Sequence, residues 1–138
     1  MRKDNHSDIV AKPAITPRAI AANTLINTGT IFDCQDFKSL ELILSFGTIT
    51  DGTYTPILTV GNLSNLADGA PAPAADLLGT LALATFALAA DSNKTKRFGY
   101  KGEKRYARLD LQPSGVTTGS AGFSAVGVQG HPLLGPQP

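Results

Sequence analysis

The sequence predicts an all-β fold, a jelly-roll-like sandwich of about eight antiparallel strands with extended arms at both ends. Three observations predict it. Short segments alternate apolar and polar residues with the period of two that a strand imposes, turn residues separate these segments, and nowhere does an i, i+3, i+4, i+7 apolar stripe run through three helical turns. At 138 residues the chain is one domain, long enough to bury about two-thirds of its unfolded surface without disulfides or metals.

Residues 1–17 are polar and twice interrupted by proline, at Pro13 and Pro17, and show no strand or helix periodicity; they read as an extended arm that orders on a partner. The sandwich spans residues 18–130. Its first strands are 19–26 and 30–34. In 39–46, Leu40, Leu42, Leu44 and Phe46 alternate with Glu41 and Ser45, one buried face against one wetter face. Asp51-Gly52 follows, a pair that adopts the positive φ angles of a type I′ turn, so 39–46 and 54–60 are expected to form a hairpin.

Residues 61–78 are rich in Gly, Pro, Asn and Ala and read as a long crossover loop with one helical turn at 74–78, a connection that suits a jelly roll. Residues 81–90 leave two readings open: alanine content favours helix, whereas length and the turn at Asp91-Ser92-Asn93 favour a buried strand, which is preferred. Strands at 95–100, 106–111 and 122–128 complete the body, with a turn at 101–103. Residues 131–138 hold three prolines and form an extended tail.

The residues argue against catalysis. A nucleophilic triad needs a rigidly held base, and the two histidines, His6 and His131, lie in the arm and the tail. Cys34 has no neighbouring cation in sequence to lower its pKa, and Asp33 and Asp36 raise it, so it reads as a small, partly buried hydrophobe. The carboxylates are dispersed, without the spacing of a glycosidase pair or a hard-metal cage, and residues 127–130 lack the lysine and helix of a phosphate loop. No cofactor, metal or catalytic residue is expected. No stretch has the length of a membrane span or the apolar core of a secretory signal, so the N-x-S/T matches at Asn5, Asn62 and Asn93 read as chance.

Charge is distributed unevenly along the chain. The net charge is only +1, yet residues 1–18 sum to +2, 19–93 to −6 and 94–108 to +6, the last segment holding seven of the twelve basic residues. Phe98, Tyr100 and Tyr106 interleave with these cations as in a nucleic-acid patch, but strand alternation divides them between two faces, so a protein-docking or solvated surface is the better reading. The candidate partner-binding residues are Arg2, Lys3, Lys12, Arg18, Arg97, Lys101, Lys104 and Arg105.

Three segments carry a family resemblance: Asp76-Leu77-Leu78-Gly79-Thr80; the run from Asp91 through Gly99-Tyr100, Gly102 and Lys104-Arg105-Tyr106 to Arg108; and Val126, Val128 and Gly130-His131-Pro132. Across about residues 38–132 the chain resembles the small head decoration, or cement, proteins of tailed bacteriophages, which accompany the major capsid protein. The resemblance implies a jelly-roll body that sits as an oligomer on the outer surface of the virion and bridges neighbouring major capsid protein subunits; dimer and trimer both stay open, with the dimer favoured. It implies no catalytic residues; that no membrane is a partner and that direct nucleic-acid contact is the lesser reading come from the residues themselves. The arm at residues 1–17 departs most from that pattern; its deletion is expected to weaken capsid attachment and leave the body folded.

Other classes remain open. A head–tail connector or tail or fibre component shares the setting but forms rings of fixed copy number. A carbohydrate-binding module would present aromatic platforms, and tryptophan is absent here. A compact hydrolase lacks a histidine in the framework.

Overall fold

A computed structural model describes residues 5–87 and 89–133 of the chain. In chain order the strands are β1 (Ile9–Ile20), β2 (Ile31–Asp33), β3 (Phe37–Phe46), β4 (Thr53–Gly61), β5 (Ala70–Pro71), β6 (Leu77–Leu78), β7 (Phe86–Ala87), β8 (Thr95–Tyr100), β9 (Tyr106–Ser114) and β10 (Ala121–Pro132). One sheet runs β1-β10-β3-β8-β6; the other runs β2-β9-β4-β5, with β7 also paired to β4. Every pairing is antiparallel. Partners close from the outside of the chain inward, β1 with β10, β2 with β9 and β3 with β8, which is the winding of a jelly roll. The predicted all-β sandwich is what the chain forms.

Inward residues of both sheets make the core. Leu40, Leu42, Leu44 and Phe46 of β3 face Tyr54, Leu58 and Val60 of β4 and Ala107, Leu109 and Leu111 of β9. Phe46 is the hub of an aromatic cluster, its ring centroid 4.7 Å from Tyr54, 4.6 Å from Phe86 and 4.5 Å from Phe123.

Residues 9–17 correct the arm reading. They form most of β1, pairing with β10 from Ile9↔Gly130 onward. Pro13 and Pro17 are tolerated because β1 is an edge strand, where a missing N–H leaves no ladder bond unmade. Register shifts between Pro13 and Ile15 and between Ile15 and Arg18 bury the consecutive pair Ala14 and Ile15, so a count of alternating residues misses the strand. Removing residues 1–17 would therefore strip this edge. The expected strand at 19–26 ends at Ile20, with a single bridge from Ile26 to Leu111. At the other terminus β10 runs through His131 and Pro132; the tail at 134–138 lies outside the described residues, as do residues 1–4.

The hairpin expected at Asp51-Gly52 does not form, since β3 and β4 lie in different sheets. Ile49 is the physical reason: an apolar residue in the connection is buried at the end of the core, so the chain arches from one sheet to the other. Gly52 keeps the expected positive φ, at +90°. Asp51 anchors the arch, its carboxylate accepting from the N–H groups of Thr117 (2.9 Å), Thr118 (3.0 Å) and Gly119 (3.1 Å) and from the Thr117 hydroxyl (2.8 Å).

Residues 81–90 are not one buried strand either. A four-residue helix, α1 (Leu81–Ala84), is capped by Thr80, whose Oγ1 accepts from the Leu83 N–H at 3.1 Å, and is followed by the short β7 and a 3-10 turn at Ala89–Asp91; residue 88 lies outside the described residues. Polar groups hold this excursion at its base. The Lys96 ammonium lies 3.2 Å from Asp91 and 4.8 Å above the Phe86 ring and donates to the Thr85 carbonyl, while Asp91 accepts from the Ala87 N–H at 2.7 Å. The crossover expected at 61–78 is there, but it is not strandless: β5 and β6 pair with β4 and β8 within it, and the helical turn expected at 74–78 covers only Ala74–Asp76 because Leu77 and Leu78 join β8.

The two outer faces differ in chemistry. On the sheet of β4 and β9 they carry Thr55 opposite Gln112 and Thr59 opposite Arg108, with Asp110 accepting from Arg108 Nε (2.6 Å) and the Thr59 hydroxyl (2.6 Å). On the sheet of β1, β10 and β3 the middle is apolar, Pro13, Val126 and Ile43 lying side by side across three strands.

Candidate partner-binding site

Two connections cross between the sheets at one end of the sandwich. One leads from β2 through residues 34–36 into β3; the other leads from β8 through residues 101–105 into β9. Between them lies an open cleft of about 300 Å³, lined among others by Lys38, Ser39, Tyr100, Lys101, Lys104 and Arg105. The Cys34 N–H donates to the Arg105 carbonyl at 2.7 Å and ties the two connections together. The Arg105 guanidinium grips Asp33 with both prongs, Nε to Oδ1 at 3.0 Å and Nη2 to Oδ2 at 2.8 Å. Behind this pair the buried Gln129 amide donates to the Asp33 carbonyl at 2.7 Å.

The run from Gly99 to Arg105, which carries part of the family resemblance, turns out to be the scaffold of one wall. Tyr100 is buried and its hydroxyl accepts from the Lys104 N–H at 3.0 Å, while the Lys101 N–H donates to the Asp76 carbonyl at 2.8 Å. Gly102 is required there because a Cβ would meet the Tyr100 hydroxyl and the Asp76 carboxylate. On the other wall the Ser39 hydroxyl and His131 Nδ1 are 3.1 Å apart. His131 takes a positive φ of 53°, a conformation rare outside glycine and asparagine.

Electrostatics separate the cations of the cleft. Arg105 is committed to Asp33: its hydrogen bond holds the Asp33 carboxyl below the usual range, and Asp33 in turn raises the guanidinium. Lys38, Lys101 and Lys104 are exposed, and among the described residues none has a carboxylate within ion-pair distance. Cys34 is no nucleophile, since burial, with Asp33 behind it, pushes its thiol up to about 11.

Lys101, Lys104 and Arg105 of the expected partner-binding set thus come together. Lys12 and Arg18 lie apart on β1, although Lys12 is near enough to act on the charge of Asp33. Arg97 points out from β8 and pairs with Glu41 at 3.0 Å; Arg2 and Lys3 fall outside the described residues. Lys38 was missed. It is in phase with the buried face of β3, yet the strand has passed the end of the core there, so the side chain reaches the cleft instead. Among the described residues no group of three His, Cys, Asp or Glu is placed to hold a metal ion.

No family model matches the sequence, and no curated protein does. Solved structures do. PBSX exported protein XepA superposes with a TM-score of 0.54 at 14% identity, over 88% of this chain and 37% of that one. A structure of infectious bursal disease virus, Gx strain, gives 0.49 at 13% identity over 93% and 34%, and SPBc2 prophage-derived protein YomS gives 0.45 at 13% over 88% and 92%. The chain thus spans 37% of the length of XepA. At these identities the likeness is one of fold, and the fold is the two-sheet sandwich described above. Among the described residues no helix is long and apolar enough to cross a membrane.

Proposed function

We propose that this protein is a structural component of a bacteriophage head: a decoration protein that binds the outer surface of the capsid as an oligomer, bridges neighbouring major capsid protein subunits and catalyses nothing. The observation that carries this reading is how the polar side chains are used. Asp33, Asp51, Asp68, Asp91 and Asp110 each hold a loop or strand in place, and the thiol of Cys34 is kept protonated, whereas Lys38, Lys101 and Lys104 extend from a rigid end that also carries Glu103, without an ion pair among the described residues. Titratable groups used for structure, beside three exposed lysines that outnumber the one acid of their cleft, suit docking against an acidic surface. The sequence resemblance to cement proteins and the sandwich shared with XepA support the same reading. Bridging two subunits makes the second contact intramolecular, so individually weak contacts hold a shell under internal pressure.

The test is reconstitution. Purified protein mixed with heads lacking it should saturate the shell at hundreds of copies and raise the temperature at which heads release DNA. The triple variant Lys38→Glu, Lys101→Glu, Lys104→Glu should bind far more weakly, most visibly at low salt. A ring of about a dozen copies at one vertex would instead identify a connector, and no binding to heads would refute the proposal.

A further inference from the structure

We infer that the outer face of the β1-β10-β3-β8 sheet is the surface through which two copies of this chain pair. Pro13, Val126 and Ile43 form one apolar row, and Ala11 and Val128 lie beside it in the next. At the far end of that second row Gly99 has no side chain, and Leu78 and the Glu41 carboxylate lie over it. Ile9, Val126 and Leu78 on this face are 40%, 39% and 52% exposed. Ser39, Ser45, Ser124 and Thr95 ring the apolar centre, which is the anatomy of an interface: a dry middle and a polar rim. The other sheet's outer face carries half-buried Ile31, Ile57 and Tyr106 as well, but these are broken up by threonines, Gln112 and the Arg108–Asp110 pair, and no apolar row crosses three of its strands.

Charge, size and edge chemistry single out a second copy as the occupant. The charged residues of the face, Arg97 and Glu41, neutralise each other, so the face selects neither an acidic nor a basic partner but fits its own two-fold image, in which each arginine meets the other copy's glutamate. Four strands about 4.8 Å apart and about ten residues long at roughly 3.3 Å each make a face of about 600 Å², of the order of the ~800 Å² that each partner gives to a standard interface. Pairing through the β1 edge is blocked by Pro13 and Pro17, which leaves the face. A two-fold pair built this way leaves both lysine clefts exposed. It supplies the two attachment points that bridging needs, and to that extent rests on the function proposed above.

Sedimentation equilibrium of the full chain, without capsids, tests this. The expected mass is twice the 14.3 kDa of the chain. Val126→Glu and, independently, Ala11→Glu on the edge strand should each return it to the single-chain mass with an unchanged circular-dichroism spectrum, while Thr55→Lys on the opposite sheet should leave it doubled. A single-chain mass for the unaltered protein at micromolar concentration, or a doubled mass retained in both glutamate variants, would overturn the inference. Head binding is measured separately: a monomer that still decorates heads refutes this interface and the oligomer with it but leaves capsid binding standing, and a dimer that ignores heads refutes the proposed function and leaves the interface standing.

Discussion

Gly127 of β10 lies against the Cζ end of the Phe32 ring from β2, so the two sheets meet at a point where one strand has no side chain and the other has its largest. Phe32 is fully buried and cannot retreat. Gly127→Ala is expected to destabilise the protein by about 1–3 kcal/mol through overpacking. Phe32→Leu in the same chain should recover part of that loss. Urea denaturation of the two single variants and the double variant measures the coupling.

Phe46 touches three aromatic rings at once. Its replacement by alanine leaves a cavity lined by rigid rings and should cost about 3–5 kcal/mol, whereas Phe46→Leu should cost markedly less. Denaturation midpoints at a constant m-value separate these outcomes.

Asp110 is 4% exposed and holds both Arg108 and Thr59. Asp110→Ala should cost about 2–3 kcal/mol, because it strands a largely buried guanidinium. Arg108→Met with Asp110→Leu, which removes both charges together, should restore most of that stability, as thermal melts of the two proteins would reveal.

Asp51 makes the sharpest pH prediction. The Thr118 and Thr117 amides, with the Thr117 hydroxyl and the Gly119 amide, hold its carboxyl at about 2, below the 3.8 of the free group. The depressed value means that the unfolded chain takes up the proton first. The stabilisation is therefore complete above pH 4 and fades as pH falls from there towards 2. Asp51→Asn should melt lower than the unaltered protein at pH 7, and the two melting curves should converge near pH 2. Asp33, held down by Arg105, acts in the same direction.

Cys34 should resist alkylation. With its thiol moved from 9.0 to about 11, the thiolate fraction at pH 8 is roughly 100-fold below that of an ordinary cysteine, and modification by iodoacetamide should be slower by at least that factor. Unfolding in urea should restore the ordinary rate.

Where alternation is regular and the flanks are polar, as in β3, β8 and β9, the sequence alone locates the strand. β1 escapes because its prolines and register shifts erase the period, although its edge position is what permits them. The Asp-Gly pair was read as a local turn, but the decisive residue was the buried Ile49 two positions earlier, whose burial depends on the whole sandwich. At 81–90 the alanine content pointed to helix and the length argument for a strand outweighed it; the Thr80 cap that starts the short helix did not enter that reading. In the cleft, Lys101, Lys104 and Arg105 were accessible as a cluster along the chain. Lys38 was not, since it comes near them only when two crossings of the sandwich end side by side.

The pairing of Ile9 with Gly130 also sets a timetable. During synthesis the strand that leaves the ribosome early must wait, unpaired, until β10 emerges, and β2 waits likewise for β9. Such long-range closure is slow, in the millisecond-to-second class of other all-β topologies. In that interval the proline-bearing β1 is a poor template for misassociation with other nascent chains, so the same residues that hid the strand from pattern reading protect it before its partner arrives.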